Sequence, residues 1–281
     1  MNSKDFRVTE VFYALQGESK WTGTPSIFVR LFGCNFSCAG FGMPNGELSN
    51  ERNEINPADF DKLEDLPLVT TGCDSYAAWD PRFKRFSAWN SVDDLAKRIY
   101  AILPDGEWEG VHLIITGGEP LLGWQSKYPA LLSHPLIRRC TNLTFETNST
   151  QVLTPELTEY LVSRFEQEQV FFSMSVKLPH SGHDLDQTVI PEAVDSYAPF
   201  DAAFKFVVGS EEDVEAIKWI LGRYENAGVV LHDTPVYIMP IGGVVNEYDK
   251  YKITVANIAL ANRWRFSDRL HVSLFGNQWG V

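Results

Sequence analysis

Residues 26–38 read Ser26-Ile27-Phe28-Val29-Arg30-Leu31-Phe32-Gly33-Cys34-Asn35-Phe36-Ser37-Cys38. The apolar run 26–32 predicts a short buried strand. It delivers two thiols, three residues apart, to the strand's C-terminal end. Nothing local completes the pair, because position 41 is Phe41. The chain resumes with Cys73-Asp74-Ser75-Tyr76-Ala77. We take Cys73 as the third member and the residues between, 39–72, as an insertion in a metal-binding loop. Thiolate is a soft ligand suited to iron–sulfur centres, and three thiolates leave one iron of a four-iron cluster open to a chelating molecule. A zinc site or free buried cysteines are the alternatives from the residues alone. Cys140, after Arg138-Arg139, is the competing third ligand.

Outward from this stretch the chain alternates strands and helices. Residues 6–18 alternate apolar and polar and turn at Gln16-Gly17. Segment 39–72 reads as a long surface excursion with a short helix at 57–63. Helical spacing follows at 91–103, with Ser91 as N-cap, and at 124–132, 155–167, 211–224 and 247–262. Strands are expected at 111–115, 143–146, 170–176, 203–208, 236–239 and, closing the chain, 270–275. About six βα units predict an α/β fold, an open or partial barrel with its site at the strand C-terminal ends. No linker or repeat divides the 281 residues, so one domain, 1–281, is expected.

The net charge of −13 argues against a broadly basic nucleic-acid or membrane surface. No apolar stretch approaches a membrane span, and the first residues, MNSKDFRVTEVF, carry no apolar signal region. A reducing cytoplasm is the expected location, where four cysteines are free or metal-bound rather than paired.

The second chemical stretch is Thr116-Gly117-Gly118-Glu119-Pro120 at the end of the strand 111–115. Glycines allow close backbone approach, and a glutamate there is available to an ammonium group. A CxxxC pair after an early strand and a GGEP turn after a later one resemble the radical S-adenosylmethionine (SAM) enzymes. The fold implied is a modified (βα)6-type partial barrel. In that superfamily the methionine end of SAM chelates the open iron, GGEP supports its amino group, and one electron yields a 5′-deoxyadenosyl radical.

The resemblance narrows to the 7-carboxy-7-deazaguanine synthase family. It rests on Phe12-Tyr13-Ala14-Leu15-Gln16-Gly17-Glu18, Gly23-Thr24-Pro25, Phe28 through Asn35, Cys73-Asp74-Ser75-Tyr76-Ala77, Phe204-Lys205-Phe206-Val207-Val208, Leu270-His271, Phe275-Gly276-Asn277 and Gly280-Val281. The family converts 6-carboxy-5,6,7,8-tetrahydropterin to 7-carboxy-7-deazaguanine with loss of ammonia, on the way to queuosine-type 7-deazapurines. It uses a [4Fe-4S] cluster, SAM and Mg²⁺. The resemblance implies that Cys34, Cys38 and Cys73 hold the cluster. Asp74, Gly117, Gly118, Glu119, Glu146, Thr147, Asn148, Ser175 and Lys177 would meet SAM. Gln16, Glu18, Arg30, Thr116 and His271 would meet the pterin, with Arg30 forking its carboxylate. Glu18, Arg30 and Lys177 are the catalytic candidates. Ser75, in place of a family threonine, would offer its oxygen to Mg²⁺.

Each assignment has a plain alternative: Arg30 paired with a nearby carboxylate, Gln16 and Glu18 as turn residues, Glu146 at a strand end, Ser175 and His271 as satisfied buried groups. The chain departs from the family pattern at Gly72, where an aromatic often stands (Phe41 or Tyr76 would replace it), and at Val176, where proline is common. The resemblance further implies an electron donor such as flavodoxin or ferredoxin and leaves a homodimer open. Other readings are a glycyl-radical enzyme activating protein, sharing cluster and GGEP, or a non-catalytic metal-binding relative.

Overall fold

The computed structural model describes residues 4–44, 46–276 and 278–280; the family segments ending at Asn277 and Val281 therefore fall partly outside the described residues. The chain opens with an antiparallel pair. β1 (Phe6–Leu15) pairs with β2 (Pro25–Leu31), Phe12 opposite Phe28, with a register shift between Val8 and Glu10. A short β3 (Ala88–Asn90) borders β1 on its outer side.

From β2 onward every pairing is parallel: β4 (His112–Gly117), β5 (Leu143–Thr147), β6 (Val170–Met174), β7 (Asp201–Val208), β8 (Val236–Pro240) and β9 (Arg265–Phe266). The sheet order is β3-β1-β2-β4-β5-β6-β7-β8-β9, open at both ends. Parallel strands need crossovers and are covered on their faces, which is why β4 and β6 read as unbroken apolar runs. Every residue of β6 is buried.

The helices in chain order are α1 (Glu51–Glu54), α2 (Val92–Ala101), α3 (Tyr128–Leu132), α4 (Pro155–Arg164), α5 (Leu185–Thr188), α6 (Pro191–Ser196), α7 (Glu212–Asn226), α8 (Val245–Asn262) and α9 (Leu270–Phe275). Ser91 caps α2 as expected, in a reciprocal capping box with Asp94. Thr154 accepts from Leu157 N–H to cap α4. The helices bury apolar faces such as Leu95, Ala96 and Ile99 of α2 and Leu157 and Leu161 of α4 against the sheet. Among the described residues no helix is long and apolar enough to cross a membrane.

Two sequence expectations are corrected. Residues 270–275 form helix α9, not a strand; the closing strand is β9, just upstream. A six-residue alternation cannot by itself separate strand from helix, and here tertiary bonds decide. Leu270 N–H donates to Gly17 O at 2.9 Å, and Arg269 N–H donates to Tyr248 Oη at 2.6 Å. The predicted helix at 57–63 is instead two 3₁₀ turns, Pro57–Asp59 and Leu63–Asp65.

Segment 39–72 is closed at its neck. Ser49 N–H donates to Ala39 O at 2.8 Å, and Gly72 N–H donates to Phe41 O at 2.7 Å. Leu63, Leu66 and Val69 form a satellite core with Tyr76, Ala77 and Phe83. The Glu51 carboxylate accepts from four donors, the amides and hydroxyls of Thr70 and Thr71, with Thr70 N–H shared between both its oxygens. The long excursion thus returns to its starting point, which lets Cys73 stand beside Cys34 and Cys38.

Candidate active site

The C-terminal ends of the parallel strands open into one cavity. Its lining includes Cys34, Cys38 and Cys73, together with Gln16, Glu18, Arg30, Asp74, Ser75, Thr116, Gly117, Gly118, Glu146, Thr147, Asn148, Ser175, Lys177 and His271. All three cysteines are free thiols. Cys38 holds a left-handed backbone, φ 47°, unusual for a residue with a Cβ. Burial pushes the Cys34 thiol up to about 12 and raises Cys38 and Cys73 as well, so a metal must displace their protons. Cys140, the competing candidate, lies in the main core and donates to Asn142 O at 3.2 Å, away from the cavity.

The GGEP turn joins the strand end of β4 to the cysteine loop. Gly118 N–H donates to Leu31 O at 3.3 Å, and Glu119 N–H to Gly33 O at 2.8 Å. A Cβ at Gly118 would stand 2.2 Å from Gly33 O and 2.7 Å from Cys34 Cβ, so only glycine permits this approach. Gly117 and Gly118 line the cavity, but Glu119 does not. Its fully buried carboxylate accepts from Leu121 N–H at 3.0 Å, Thr147 Oγ1 at 2.9 Å and Asn148 N–H at 2.7 Å. Burial pushes its pKa up to about 7, against those donors. Glu119 thereby ties the β4 turn to the loop after β5. Asn148 reaches back to Asn35 Oδ1 at 2.8 Å, tying the β5 loop to the cysteine loop in turn.

A chain of alternating charges also lines the cavity. Lys205 Nζ pairs with Glu18 at 2.5 Å. Arg269 Nε pairs with the other Glu18 oxygen at 3.2 Å, and its Nη2 with Asp74 at 2.5 Å. Arg269 Nη1 also donates to Gly242 O at 2.7 Å. Burial opposes charge on Glu18, but Lys205 and Arg269 outweigh it and hold the carboxyl far below its ordinary range. Asp74 is likewise held down, Arg269 outweighing burial. Arg30 Nε pairs with Glu10 at 2.5 Å, and its Nη1 donates to Ser75 Oγ at 3.3 Å. The plain alternative for Arg30, a carboxylate partner, is therefore met; it also faces the cavity, and the guanidinium has further N–H groups beyond these two bonds.

The remaining expected residues are knit together. Gln16 Nε2 and Thr116 Oγ1 donate to the two oxygens of Glu146, at 3.0 and 2.9 Å. Lys177 Nζ donates to Ser175 Oγ at 2.8 Å, and Ser175 N–H to Thr147 O at 2.7 Å. His271 packs on Gly17, where a Cβ would stand 2.2 Å from Nδ1; burial, then Arg269, pushes its pKa down to about 4. Of the two aromatics proposed to replace the one missing at Gly72, Phe41 lines the cavity. Tyr76 does not: it is fully buried in the satellite core, its hydroxyl on Pro67 O at 2.7 Å. Trp79 lines the cavity, while Trp21 packs edge-on to His112 and Trp89 against Trp124.

Four residues were missed. Lys205 had a signal, a lone lysine inside the apolar strand Phe204–Val208 that is 6% exposed. A buried lysine needs a partner, which makes such a position informative. Arg269, beside the predicted 270–275 element, had none that its surroundings made legible. Glu10 is a polar residue on an otherwise apolar strand face. His183, whose Nε2 accepts from Ser37 N–H and Cys38 N–H, lies in a patternless loop.

No protein-family model matches the chain. Proteins named 7-carboxy-7-deazaguanine synthase match it nearly end to end. The one from Halobacterium salinarum is 27% identical over 96% of this chain and 90% of its own length. That from Pyrobaculum aerophilum is 27% identical over 98% and 96%, and that from Leptospira interrogans 25% over the whole of both. Among solved structures, QueE from Escherichia coli superposes with a TM-score of 0.51 at 21% identity, covering 95% of this chain and 94% of that one. The fold is the partial barrel of that protein.

Proposed function

We propose that this chain is a 7-carboxy-7-deazaguanine synthase, a carbon–nitrogen lyase of the radical SAM class. Its substrate is 6-carboxy-5,6,7,8-tetrahydropterin, contracted with loss of ammonia. The observation that carries the proposal is the meeting, in one cavity at the strand ends, of three thiols and a buried wall of fixed charges, in a chain alike over its full length to proteins of that name.

The donor set fits a [4Fe-4S] cluster. Among the described residues no three of His, Cys, Asp and Glu converge on a single-ion position, which disfavours zinc. A cluster instead takes each thiolate on a different iron, as three cysteines around one cavity permit. Cys34, Cys38 and Cys73 would hold it, and when reduced it would supply one-electron chemistry to SAM bound at its open iron. Mg²⁺ fits less well. Asp74 and Ser75 offer oxygen, but the Ser75 hydroxyl already meets the Arg30 guanidinium, a competing cation.

The chain's own groups bind and orient. Gly117 and Gly118 expose strand-end backbone to the methionine end of SAM, while Lys177, which acts electrostatically on all three thiols, offers its ammonium nearby with Ser175. Asp74, Glu146, Thr147 and Asn148 complete that side. On the other side Arg30, held by Glu10, receives the pterin carboxylate. Glu18 stays ionised between Lys205 and Arg269 and accepts from the pterin's N–H edge, with Gln16 and Thr116 beside it through Glu146. Neutral His271 can take or give a proton at the substrate edge.

A one-electron carrier such as flavodoxin or ferredoxin would reduce the cluster, in a reducing cytoplasm, and light scattering would show whether the chain is a homodimer. The buried small-acid wall of Glu18, Arg30, Lys205 and Arg269 favours this reading over an activating protein that admits a polypeptide loop. The test is ammonia release from the reduced, cluster-loaded chain. Release that needs both the carboxypterin and SAM is expected; none from a cluster-replete preparation overturns the proposal.

A further inference from the structure

The loop after β6 clamps the cysteine loop. His183 Nε2 accepts from Ser37 N–H at 3.3 Å and from Cys38 N–H at 3.1 Å. Its ring lies 4.4 Å from that of Phe36, centroid to centroid. Gly40 N–H donates to Ser181 O at 3.0 Å, and Gly40 has no room for a Cβ, which would meet His180 O at 2.4 Å and Gly182 N at 2.7 Å. An imidazole nitrogen that accepts cannot carry the proton, so the ring is neutral with hydrogen on Nδ1. Between these contacts sits Cys38 in its left-handed conformation, a state that persists only where its surroundings enforce it.

Hydrogen bonds to cluster sulfur, and the second layer that orients ligands, govern how tightly a metal centre is held and at what potential it works. Two amides of the cysteine loop are here given to one side-chain acceptor. We infer that His183 is a positioning residue for the cluster: by accepting both amide hydrogens it sets the Cys38 thiol and withholds Ser37 and Cys38 N–H from the cluster's sulfur atoms. This rests on the proposed cluster reading and adds to it a residue outside the cysteine and GGEP motifs.

The experiment compares the native chain with His183→Ala, His183→Gln and His183→Lys after anaerobic reconstitution. Iron release to a chelator is timed, and the electron paramagnetic resonance spectrum of the reduced cluster is recorded without substrate. Gln keeps an acceptor oxygen, whereas Lys only donates. His183→Ala and His183→Lys are expected to release iron about tenfold faster than native and to shift the spectrum, with His183→Gln close to native. Where the alanine variant fails to fold, the Gln and Lys pair decides. Native-like release from the alanine or lysine variant overturns the inference, as does a Gln variant as fast as Lys, which would assign the effect to ring packing on Phe36. A native chain that takes up no iron overturns the cluster reading itself, and this inference with it.

Discussion

Gly118 and Gly33 meet backbone to backbone: a Cβ on Gly118 would stand 2.2 Å from the Gly33 carbonyl oxygen. The next residue, Glu119, donates its N–H to that same oxygen at 2.8 Å. Neither neighbour is the free end of a side chain, so neither can swing away. Gly118→Ala is expected to cost about 1–3 kcal/mol in urea unfolding, the usual cost of overpacking, and to lower iron uptake through Cys34. Native stability and native iron content in that variant would mean the two loops part freely.

Arg269 carries two carboxylates. With Arg269→Met, Glu18 keeps Lys205, but Asp74 loses its partner at 2.5 Å. The Asp74 side chain is 31% exposed, so losing its partner costs about 1–3 kcal/mol near pH 7. Both carboxyls have folded pKa values held below the ordinary 4.5 and 3.8, so their stabilisation is present above those values and is lost as pH falls through the folded ones. The gap between native and variant, measured by urea unfolding, should therefore be full at neutral pH and shrink below about pH 4. A gap independent of pH would place the loss in packing.

His112 gives a separate acid response. Burial pushes its pKa down from 6.5 to about 4, with Nε2 and Thr144 Oγ1 at 2.9 Å. The unfolded chain takes up the proton first, so this contribution is full above pH 6.5 and is lost as pH falls toward 4. The span is on the order of 3 kcal/mol. His112→Gln should flatten that part of the unfolding profile, and an unchanged profile would contradict the neutral assignment. His271, lowered to a similar value, leaves a remainder in the variant.

Glu10 is placed behind Arg30 rather than in the cavity. Glu10→Gln should keep the cluster and raise the KM for the carboxypterin, by about tenfold, with a smaller effect on kcat, because it loosens the Arg30 guanidinium proposed to receive the carboxylate. Lys205→Met should lower turnover further, since it also unbalances Glu18. Loss of iron in either variant would show a structural role instead.

The strand–helix alternation from β2 to β8 and the thiols of Cys34 and Cys38 were legible because their signals are local: apolar runs ended by Cys34 or by Gly117-Gly118. Cys73 was legible only through its Asp74-Ser75 tail, since spacing alone could not show that residues 39–72 close at Gly72 and Phe41. For Glu119 a sequence shows a carboxylate beside glycines but not its direction; donors from its own turn and from the loop after β5 turn it inward. Arg269 was hidden by the misreading of residues 270–275, where a Gly17 carbonyl and a Tyr248 hydroxyl outweigh a short alternation. Lys205 could have been found, because a lysine flanked by buried phenylalanines requires an anion within reach.

The most direct test of the central claim is identification of the product. The cluster-loaded chain, supplied anaerobically with 6-carboxy-5,6,7,8-tetrahydropterin, SAM, Mg²⁺ and a reductant, should form 7-carboxy-7-deazaguanine detectable by mass spectrometry, and Cys73→Ala should form none while Cys140→Ala forms it normally. Intact substrate in the presence of a full cluster, or product from the Cys73 variant, would contradict the account.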